Sequence, residues 1–463
     1  MRNVVLVILD TVRKDYFDEH ATALRSFADI EFKRCYAPSS WSIPSHASMF
    51  TGVLPHRHGV HSYNPNYATL DRTFLDDLDH RALGVSANGA VSESFGFDAL
   101  FDEFYSFAGN DELSPDVMSI NEVQDYDGPG RYIAYLTRAA AQGRLASSLR
   151  NGLYIKANEF LNGRSLPKIG DSGAAAVMEK ALSITTAEPF ALFLNFIDAH
   201  GPMENRRVLD SEVPSSWSSH QIGLNESRNR SREELKGFLD NYRDLYAANV
   251  RYLDRTVIEL IREMQARTDR ETVFIVTADH GDELRLPGER DLGHMDFSTP
   301  LLQVPCVVIG DDTGIGVEVE NESDTGENGT SITSPTSLLD IGAVATRLAR
   351  GDDAPDISRR RAPAERIGML FYNGDDPYWT RGVRTIYEKT VRYERDTLGN
   401  AARINVSRSV DEERMDIDPS NFNDPEFDSD LDAYVAAAQA AGGKTPDLAT
   451  ETMDHLEDLG YKM

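Results

Sequence analysis

The sequence predicts an α/β fold with a largely parallel central sheet and a small antiparallel subdomain near its C-terminal end. Short apolar runs, typical of buried strands, alternate with longer helical patterns, as they do in doubly wound sheets. Towards the end of the chain, apolar and polar residues alternate instead, which is typical of hairpins. We therefore expect a catalytic domain over residues 1–350, a linker over 351–365 and a subdomain over 366–463.

Each predicted element follows from a local pattern. Five apolar runs predict the strands of the large sheet, at 3–9, 83–87, 190–197, 272–277 and 304–309. Helical periodicity predicts helices over 172–186, 231–267 and 335–350. Polar, irregular stretches predict surface insertions at 110–130, 204–229 and 311–334. In the subdomain, alternation predicts hairpins over 366–372 and 380–395, before an acidic stretch and an Ala-rich terminal helix.

The composition is strongly acidic. The 463 residues include 76 Asp and Glu against 47 Lys and Arg, a net charge of −29, and only 9 of the basic residues are Lys. Such a polyanion is not expected to bind nucleic acid, or to sit on an anionic membrane without a cation in between. An acidic, Lys-poor surface favours a halophilic source, with an ordinary acidic mesophilic protein as the alternative.

The N-terminal apolar run is too short for a signal peptide or a membrane span, so we expect a cytoplasmic protein without a transmembrane segment. Cys35 and Cys306 lie far apart in unrelated contexts. We therefore expect both thiols to be reduced.

Acidic residues and histidines follow three of the predicted strands. Asp10 ends the first strand, Asp198 and His200 follow the run at 190–197, and Asp279 and His280 follow the run at 272–277, with His294 a short loop further on. Any one of them alone is more often a helix cap or a solvated loop residue. Because catalytic groups of such sheets gather at the carboxyl ends of the strands, the coincidence predicts a site there.

A serine-rich segment over residues 39–52 supplies a candidate nucleophile. Pro44 is suited to the first turn of a helix and Gly52 to its end. Ser42 then lies at the helix N-terminus, where backbone N–H groups favour an anion. A hydroxyl there, beside a metal ion, is placed to attack phosphorus or sulfur, although a simple helix cap is the common role of such a serine.

Taken together, these motifs resemble the sulfatase branch of the alkaline phosphatase superfamily. The family motif Cys (or Ser)-x-Pro-Ser-Arg followed by Thr-Gly is matched at Ser42, Pro44, Ser45, Thr51 and Gly52. The other similar segments, in the family's order, are Asp10, 55–60, 198–202, 279–283, 293–294, 383–389 and 459–461. The resemblance thus spans nearly the whole chain.

The resemblance implies roles for particular residues. Asp10, Ser42, Asp279 and His280 would bind one divalent metal ion, and Ser42 would be the nucleophile. His200 would contact the ester group, and His294 would lie beside the transferred group. His46 takes the place of the arginine that supports the nucleophile, so the implied catalytic set is Ser42, His46, His200 and His294.

Three departures from the family pattern modify these expectations. Asp10 is followed by Thr11 where many sulfatases have a second Asp, and His280 replaces an Asn. The altered ligand set suits Mg²⁺, Mn²⁺ or Zn²⁺ at least as well as Ca²⁺. With Ser42 for Cys and His46 for Arg, we do not expect conversion of the nucleophile to formylglycine. A second metal ion at Asp198, His200 and His294 is a weaker alternative.

The expected function is sulfuryl-ester chemistry on a sugar, either transfer of sulfate to a precursor of a surface glycan or its removal. A small-molecule or glycan sulfate ester is therefore the expected partner. Phosphoryl-ester hydrolysis or transfer uses the same groups and stays open, with Arg57 as the one arginine near a motif. An inactive protein that binds a sugar ester is the alternative of another class. His58 and His61 are weaker candidates for the mouth of the pocket, and oligomeric state is not predicted.

Overall fold

The computed structural model describes ten stretches of the chain. They are residues 1–107, 129–161, 166–219, 232–284, 297–310, 329–370, 376–406, 412–418, 430–441 and residue 453. The predicted insertions at 110–130 and 311–334 lie mostly outside them.

The described strands form one large and one small sheet. The strands are β1 Asn3–Leu9, β2 Ile30–Tyr36, β3 Arg81–Ser86, β4 Glu103–Ser106, β5 Phe190–Phe196, β6 Thr272–Thr277, β7 Gln303–Val304, β8 Cys306–Ile309, β9 Thr330–Ser337, β10 Ala362–Ile367, β11 Gly382–Tyr387, β12 Val391–Asp396, β13 Ala401–Asn405 and β14 Glu413–Asp416. The large sheet has the order β4-β3-β5-β1-β6-β8-β2-β7, with β9 paired to β2. Strands β4, β3, β5, β1 and β6 are all parallel, whereas β8 is antiparallel to β6 and β2. The predicted, largely parallel sheet is confirmed.

Helices pack on the large sheet in two groups. The described helices are α1 Lys14–His20, α2 Thr22–Phe27, α3 Ser42–Thr51, α4 Pro55–His58, α5 Pro129–Ala141, α6 Leu145–Leu161, α7 Ala174–Ile184, α8 Arg232–Arg267, α9 Thr299–Leu302, α10 Ile341–Arg350, α11 Pro377–Thr380 and α12 Asp430–Ala441. Helices α1, α2 and α7 all contact α8, whereas α3 contacts α10. Among these described helices, none combines the length and the apolar character needed to cross a membrane.

The core lies between the helices and the central strands. All seven residues of β1 and all seven of β5 are buried, which explains why these strands are continuous apolar runs rather than alternating ones. The predicted run at 304–309 is interrupted at Pro305, which separates β7 from β8 and has no N–H to donate to a ladder.

Two predictions about elements were wrong. The helix predicted over 335–350 begins only at Ile341, because residues 330–337 pair with β2 as β9. The same strand occupies the end of the segment predicted as an insertion at 311–334.

Strands β10 to β14 form an antiparallel meander, as predicted for the subdomain. It begins at Ala362, before the predicted start at residue 366. The Glu365 N–H donates to the Pro38 carbonyl over 2.9 Å, and Ser39 Oγ donates to the Glu365 carbonyl over 2.8 Å. The small sheet is therefore bonded directly to the segment that precedes α3.

Candidate active site

The sheet register brings the predicted residues to one edge of the molecule. Strand β1 pairs in parallel with both β5 and β6, and β3 pairs in parallel with β5. The segments that follow these four strands therefore leave the sheet at the same edge. Asp10 follows β1, Asp198 and His200 follow β5, and Asp279 and His280 follow β6.

Ser42 is the first residue of α3 and is fully buried at this edge. Pro44 lies in the first turn and Gly52 ends the helix with a left-handed φ of 73°, as predicted. The first turn is fixed to the loop after β6, since Ser45 Oγ donates to the Asp279 carbonyl over 2.7 Å. The α3 N-terminus, with Ser42, is thereby held against Asp279.

Asp10 and Asp279 form the anionic part of the site. Both are completely buried, and one ligand atom from each, with one from His280, lie within 4.8 Å of one another. Within the described residues, Asp10 Oδ1 and Asp279 Oδ2 have no hydrogen-bond partner. Two buried carboxylates, each with an uncompensated oxygen, fit a divalent cation, because buried charges require a partner of opposite sign.

The two carboxyl groups are electrostatically unequal. Burial, together with the nearby charge of Asp279, raises the pKa of Asp10 well above its ordinary value. Burial also acts to raise the pKa of Asp279, but its polar contacts outweigh burial, among them the hydrogen bond from the Thr11 N–H, and the pKa lies below its ordinary value. Asp279 thus carries the more stable negative charge of the pair.

His280 presents one ring nitrogen to the nucleophile. Its Nδ1 lies 2.8 Å from the Gly281 carbonyl, which can only accept, so Nδ1 carries the proton. The lone pair of Nε2 then faces Ser42 Oγ at 3.3 Å and Asp279 Oδ2 at 3.3 Å. This nitrogen can bind a cation or accept the Ser42 proton.

Asn88, just beyond β3, is a site residue that the sequence analysis missed. Its Nδ2 donates to Asp10 Oδ2 over 2.6 Å and to Ser42 Oγ over 3.3 Å. Its Oδ1 accepts the Ala90 N–H over 2.7 Å, which fixes the orientation of the amide. The signal was a polar residue at the end of a predicted strand, the pattern that had identified Asp10 and Asp198.

Asn195, the second missed residue, links Asp10 to His46. Its Nδ2 lies 3.4 Å from Asp10 Oδ2 and 3.2 Å from His46 Nε2. His46 Nδ1 donates to the Ser42 carbonyl over 2.8 Å, so both of its ring nitrogens have internal partners. Burial lowers the pKa of His46, in keeping with a neutral ring. This geometry favours a positioning role for His46 over proton transfer.

His200 interacts electrostatically with Asp279 and His280 of the site. Its Nδ1 donates to the Gly201 carbonyl over 2.7 Å, which leaves the lone pair on Nε2. Burial is the main cause of its lowered pKa, and His280 and Asp279 contribute opposing effects. The neutral ring is therefore suited to contact an ester group.

Asp198 instead faces a second buried acid. Its Oδ1 accepts the Ser172 N–H over 2.8 Å, and burial together with the charge of Asp171 raises its pKa to about 8. Within the described residues, Asp198 does not join Asp10, Asp279 and His280 in a group of potential metal ligands, and a second metal ion stays a prediction.

Of the remaining candidates, the described residues Arg57, His58 and His61 have their contacts elsewhere. His294 lies outside the described residues. Arg57 is 64% exposed and lies 3.6 Å from Asp430. His58 Nε2 donates to Ser48 Oγ, and His61 Nε2 is hydrogen-bonded to the Tyr434 hydroxyl. These contacts favour structural roles for both histidines.

The backbone after Asp10 is held in an unusual conformation. Thr11 has a φ of 61°, which is costly for a β-branched residue. Its N–H donates to Asp279 Oδ1 over 3.2 Å, and its carbonyl accepts from the Tyr246 hydroxyl over 2.6 Å. The Arg13 N–H donates to the same hydroxyl over 2.8 Å. Tyr246 of α8 thus holds the loop that carries Asp10.

Comparisons with solved structures show the same fold. Across 98% of this chain and 96% of the other, the phosphonate monoester hydrolase of Agrobacterium radiobacter has a TM-score of 0.55 at 13% identity. A 2-O GAG sulfatase matches 98% of this chain and 93% of its own, with a TM-score of 0.52 at 13% identity. A putative sulfatase from Bacteroides thetaiotaomicron matches 99% and 93%, with a TM-score of 0.51 at 13% identity.

At the level of sequence, none of the curated proteins compared with this chain matches it. The model of the sulfatase family does match, over residues 2–322. That range contains every residue of the site described above, from Asp10 to His280. The chain therefore belongs to the sulfatase family.

Proposed function

We propose that this protein is a metal-dependent hydrolase of sulfuric esters in which unmodified Ser42 is the nucleophile. The observation that carries the proposal is the position of Ser42 Oγ. It lies at a helix N-terminus, 3.3 Å from both Asn88 Nδ2 and His280 Nε2, beside two buried carboxylates with uncompensated oxygens. A simple helix cap needs none of these neighbours.

Asp10, Asp279 and His280 would hold the divalent cation, with Ser42 Oγ as a further ligand. A cation there would supply positive charge to the ester oxygens and to the Ser42 alkoxide. Asn88 donates to the same Oγ and so supports its charge from the other side. His46 and Ser45 fix the first turn of α3, so the hydroxyl needs little reorientation.

The reaction would proceed in two displacements at sulfur. In the first, Ser42 Oγ bonds to sulfur, the bond to the ester oxygen breaks, and the leaving alcohol takes a proton. His294, which the family resemblance places beside the transferred group, is the proposed donor of that proton, whereas His200, whose Nε2 carries a lone pair, would donate only after this nitrogen is protonated. In the second, an acceptor attacks sulfur and Ser42 Oγ departs. This second attack is required because a plain serine ester lacks the second hydroxyl through which a formylglycine hydrate expels sulfate.

The acceptor in the second step decides between hydrolysis and transfer. Water gives hydrolysis, and a sugar hydroxyl gives transfer of sulfate. A sulfated sugar is the substrate class that we propose, on the support of the family and of the GAG sulfatase fold. A role on a precursor of a surface glycan follows if the protein is cytoplasmic, which stays a prediction. The mass of that glycan in a deletion strain tests this role. If the glycan neither gained nor lost one sulfate, the result would contradict it.

Phosphoryl or phosphonyl esters are the second candidate class. The phosphonate monoester hydrolase fold matches this chain as completely as the sulfatase folds do. The ratio of kcat/KM for matched aryl sulfate and aryl phosphate substrates distinguishes the two classes. A ratio in favour of the phosphate would assign the site to phosphoryl chemistry.

Metal-loaded protein and its Ser42→Ala variant provide the main test. We expect the wild-type protein to bind one divalent cation and turn over an aryl ester. The variant should keep the cation, because three ligands remain, and lose turnover. If the variant were as active as the wild type, Ser42 would not be the nucleophile. If the metal-loaded wild type turned over no ester, the alternative of an ester-binding pseudoenzyme would replace the proposal.

A further inference from the structure

Helices α5 and α6 form a basic hairpin on a strongly acidic protein. Residues 129–170 contain seven Lys and Arg and a single acidic residue, Glu159, a net charge of +6. Since the whole chain carries −29, the rest of it carries −35. The net charge of the whole chain therefore does not describe this region, where the sign of the charge is reversed.

Helix α6 turns its polar side towards the protein and its apolar side outwards. Ser148, Asn151, Tyr154 and Asn158 are buried, and Asn158 exchanges two hydrogen bonds with the backbone of Ile169, at 2.8 and 3.2 Å. At 3.6 residues per turn, positions 145, 149, 153 and 160 fall on the opposite side. They carry Leu, Leu, Leu and Phe, and their exposed fractions are 37%, 50%, 77% and 61%.

This orientation is the reverse of that of an ordinary surface helix. In a surface helix the apolar stripe faces the core and the polar stripe faces water. Here Asn158 of the polar stripe exchanges hydrogen bonds with the Ile169 backbone, which supports the observed rotation of the helix about its axis. Ile133 of α5 adds a further apolar side chain, 69% exposed. An apolar face of this size indicates a binding surface rather than scattered exposed residues.

The hairpin also carries exposed basic side chains. Arg138, Arg144, Arg150 and Lys156 are all exposed on the hairpin. Lys156 falls within the apolar stripe of α6 by helical spacing, where its long stem can lie along the leucines while its ammonium group reaches outwards. The combination of exposed leucines, phenylalanine and basic residues is that of helices that lie in the plane of an anionic membrane surface.

We propose that the α5–α6 hairpin docks on the surface of an anionic lipid bilayer. Leu149, Leu153 and Phe160 would enter the boundary between head groups and acyl chains, and the basic residues would contact lipid phosphates. Charge complementarity favours this occupant over a symmetric pairing of two hairpins, which would bring two charges of +6 together. It also orients the protein, because the remaining −35 is repelled from the same surface.

Sedimentation with phosphatidylglycerol and phosphatidylcholine vesicles tests the proposal on the full chain. We expect the wild type to bind phosphatidylglycerol and to bind phosphatidylcholine weakly. The triple variant Leu149→Gln, Leu153→Gln, Phe160→Gln should lose about tenfold or more in partitioning. The variant Arg144→Gln, Lys156→Gln should lose about fivefold per residue at low salt, and less at 1 M salt, where screening shortens the range of the charges.

A matched control is Leu398→Gln, since Leu398 is 47% exposed on the small sheet, away from the hairpin. It should bind vesicles like the wild type, and all variants should keep the wild-type unfolding transition. Equal binding of the wild type and the triple variant would overturn the proposal. The proposal would also be overturned if the wild type did not bind vesicles but formed a dimer, and if the triple variant were monomeric. The apolar face would then bind a second copy of the chain.

Discussion

The proposed nucleophile Ser42 has two close polar neighbours of different chemistry. Asn88 can only donate to its Oγ through Nδ2, whereas His280 presents a lone pair to it. A donor stabilises the alkoxide, and a lone pair either binds a cation or takes up the proton. These two residues therefore separate the electrostatic and the acid–base contributions at the site.

Replacing Asn88 by Ala should lower kcat by about a hundredfold, the usual effect of removing one donor to a developing oxyanion. The variant Asn205→Ala is the control, because it also removes a buried amide but one that is bonded to the Val213 carbonyl. Steady-state kinetics should show the loss only for Asn88. Equal losses in both variants would assign the effect to folding.

Replacing His280 by Asn restores the residue that the family usually has. If His280 is a metal ligand, an amide oxygen can take its place, so kcat/KM should stay within about tenfold of the wild type, with preference shifted from Zn²⁺ towards Mg²⁺ and Ca²⁺. His280→Ala should lose far more. If the Asn variant were as inactive as the Ala variant, the imidazole would be needed as a base.

The site residues that the sequence revealed were those with chemically distinctive side chains after an evident strand. Asp10, Asp279 and His280 were found in this way, Ser42 was found from the helix signals at Pro44 and Gly52, and the structure brings the four together. Asn88 and Asn195 were missed because amides are common at strand ends and act here through contacts with residues far away in sequence. Likewise, the placement of both His46 nitrogens depends on β5 and α3 together, which no local pattern reveals.

At the scale of elements, the long helix α8 supports the loop that carries Asp10. The Tyr246 hydroxyl accepts from the Arg13 N–H and donates to the carbonyl of Thr11, whose φ is positive. Helix α8 therefore holds a conformation that Thr11 alone would avoid, and the Thr11 N–H in turn reaches Asp279.

The variant Tyr246→Phe should lower the free energy of unfolding by about 2 kcal/mol, because two buried backbone groups lose their partner. It should also weaken metal binding, since the Asp10 loop loses its support. Tyr252→Phe on the same helix is the control, as its hydroxyl donates to Asp171 instead. Urea denaturation and metal titration should show comparable destabilisation but a loss of metal affinity only at Tyr246. Unchanged affinity in Tyr246→Phe would contradict this role.

Elements with an unbroken local pattern were predicted well, and those stabilised by distant partners were not. Strands β1 and β6 match their predicted bounds because each is a continuous apolar run. Strands β2 and β9 were missed because both contain polar residues and pair with each other across about 300 positions. The helix predicted from residue 335 was wrong for the same reason, since pairing with β2 draws residues 335–337 into a strand.

At the scale of the whole molecule, Glu365 links the small sheet to the segment that precedes α3. Its carboxylate lies 2.5 Å from Arg384 Nη2 and 3.0 Å from His56 Nδ1, with no exposure to solvent. Its backbone is bonded to Pro38 and Ser39, just before the nucleophile helix. Burial acts to raise its pKa, but His56 and Arg384 outweigh that effect and hold the pKa below its ordinary value of 4.5.

A carboxyl whose pKa is depressed on folding stabilises the protein above its unfolded pKa, and this contribution is lost as pH falls through the folded value. Glu365→Gln should therefore lower the free energy of unfolding by about 3 kcal/mol at pH 7, because it breaks a buried ion pair. The difference in this free energy from the wild type should shrink below about pH 4.5. The control Glu388→Gln breaks a partly exposed ion pair with Arg361. It should lower the free energy of unfolding by less than about 1 kcal/mol. Denaturation at several pH values gives both profiles, and a pH-independent difference would contradict the assignment.

The composition described the average surface and concealed two local reversals of its charge. One is the proposed cation-binding site among Asp10, Asp279 and His280, where a bound cation would supply positive charge, and the other is the basic hairpin of α5 and α6. Neither is visible in a net charge of −29. The halophilic source inferred from that charge stays a prediction. If it is right, the activity should rise as the salt concentration approaches the molar range.

The mass of the peptide that contains Ser42, isolated after acid quench during turnover of an aryl sulfate, tests the central claim most directly. We expect unmodified serine in the resting protein and a serine that carries one sulfuryl group in the quenched sample. A resting peptide lighter by two hydrogens would show formylglycine, and a quenched peptide that never carries the group would show another nucleophile. Either result would contradict the assignment of Ser42 as an unmodified serine nucleophile.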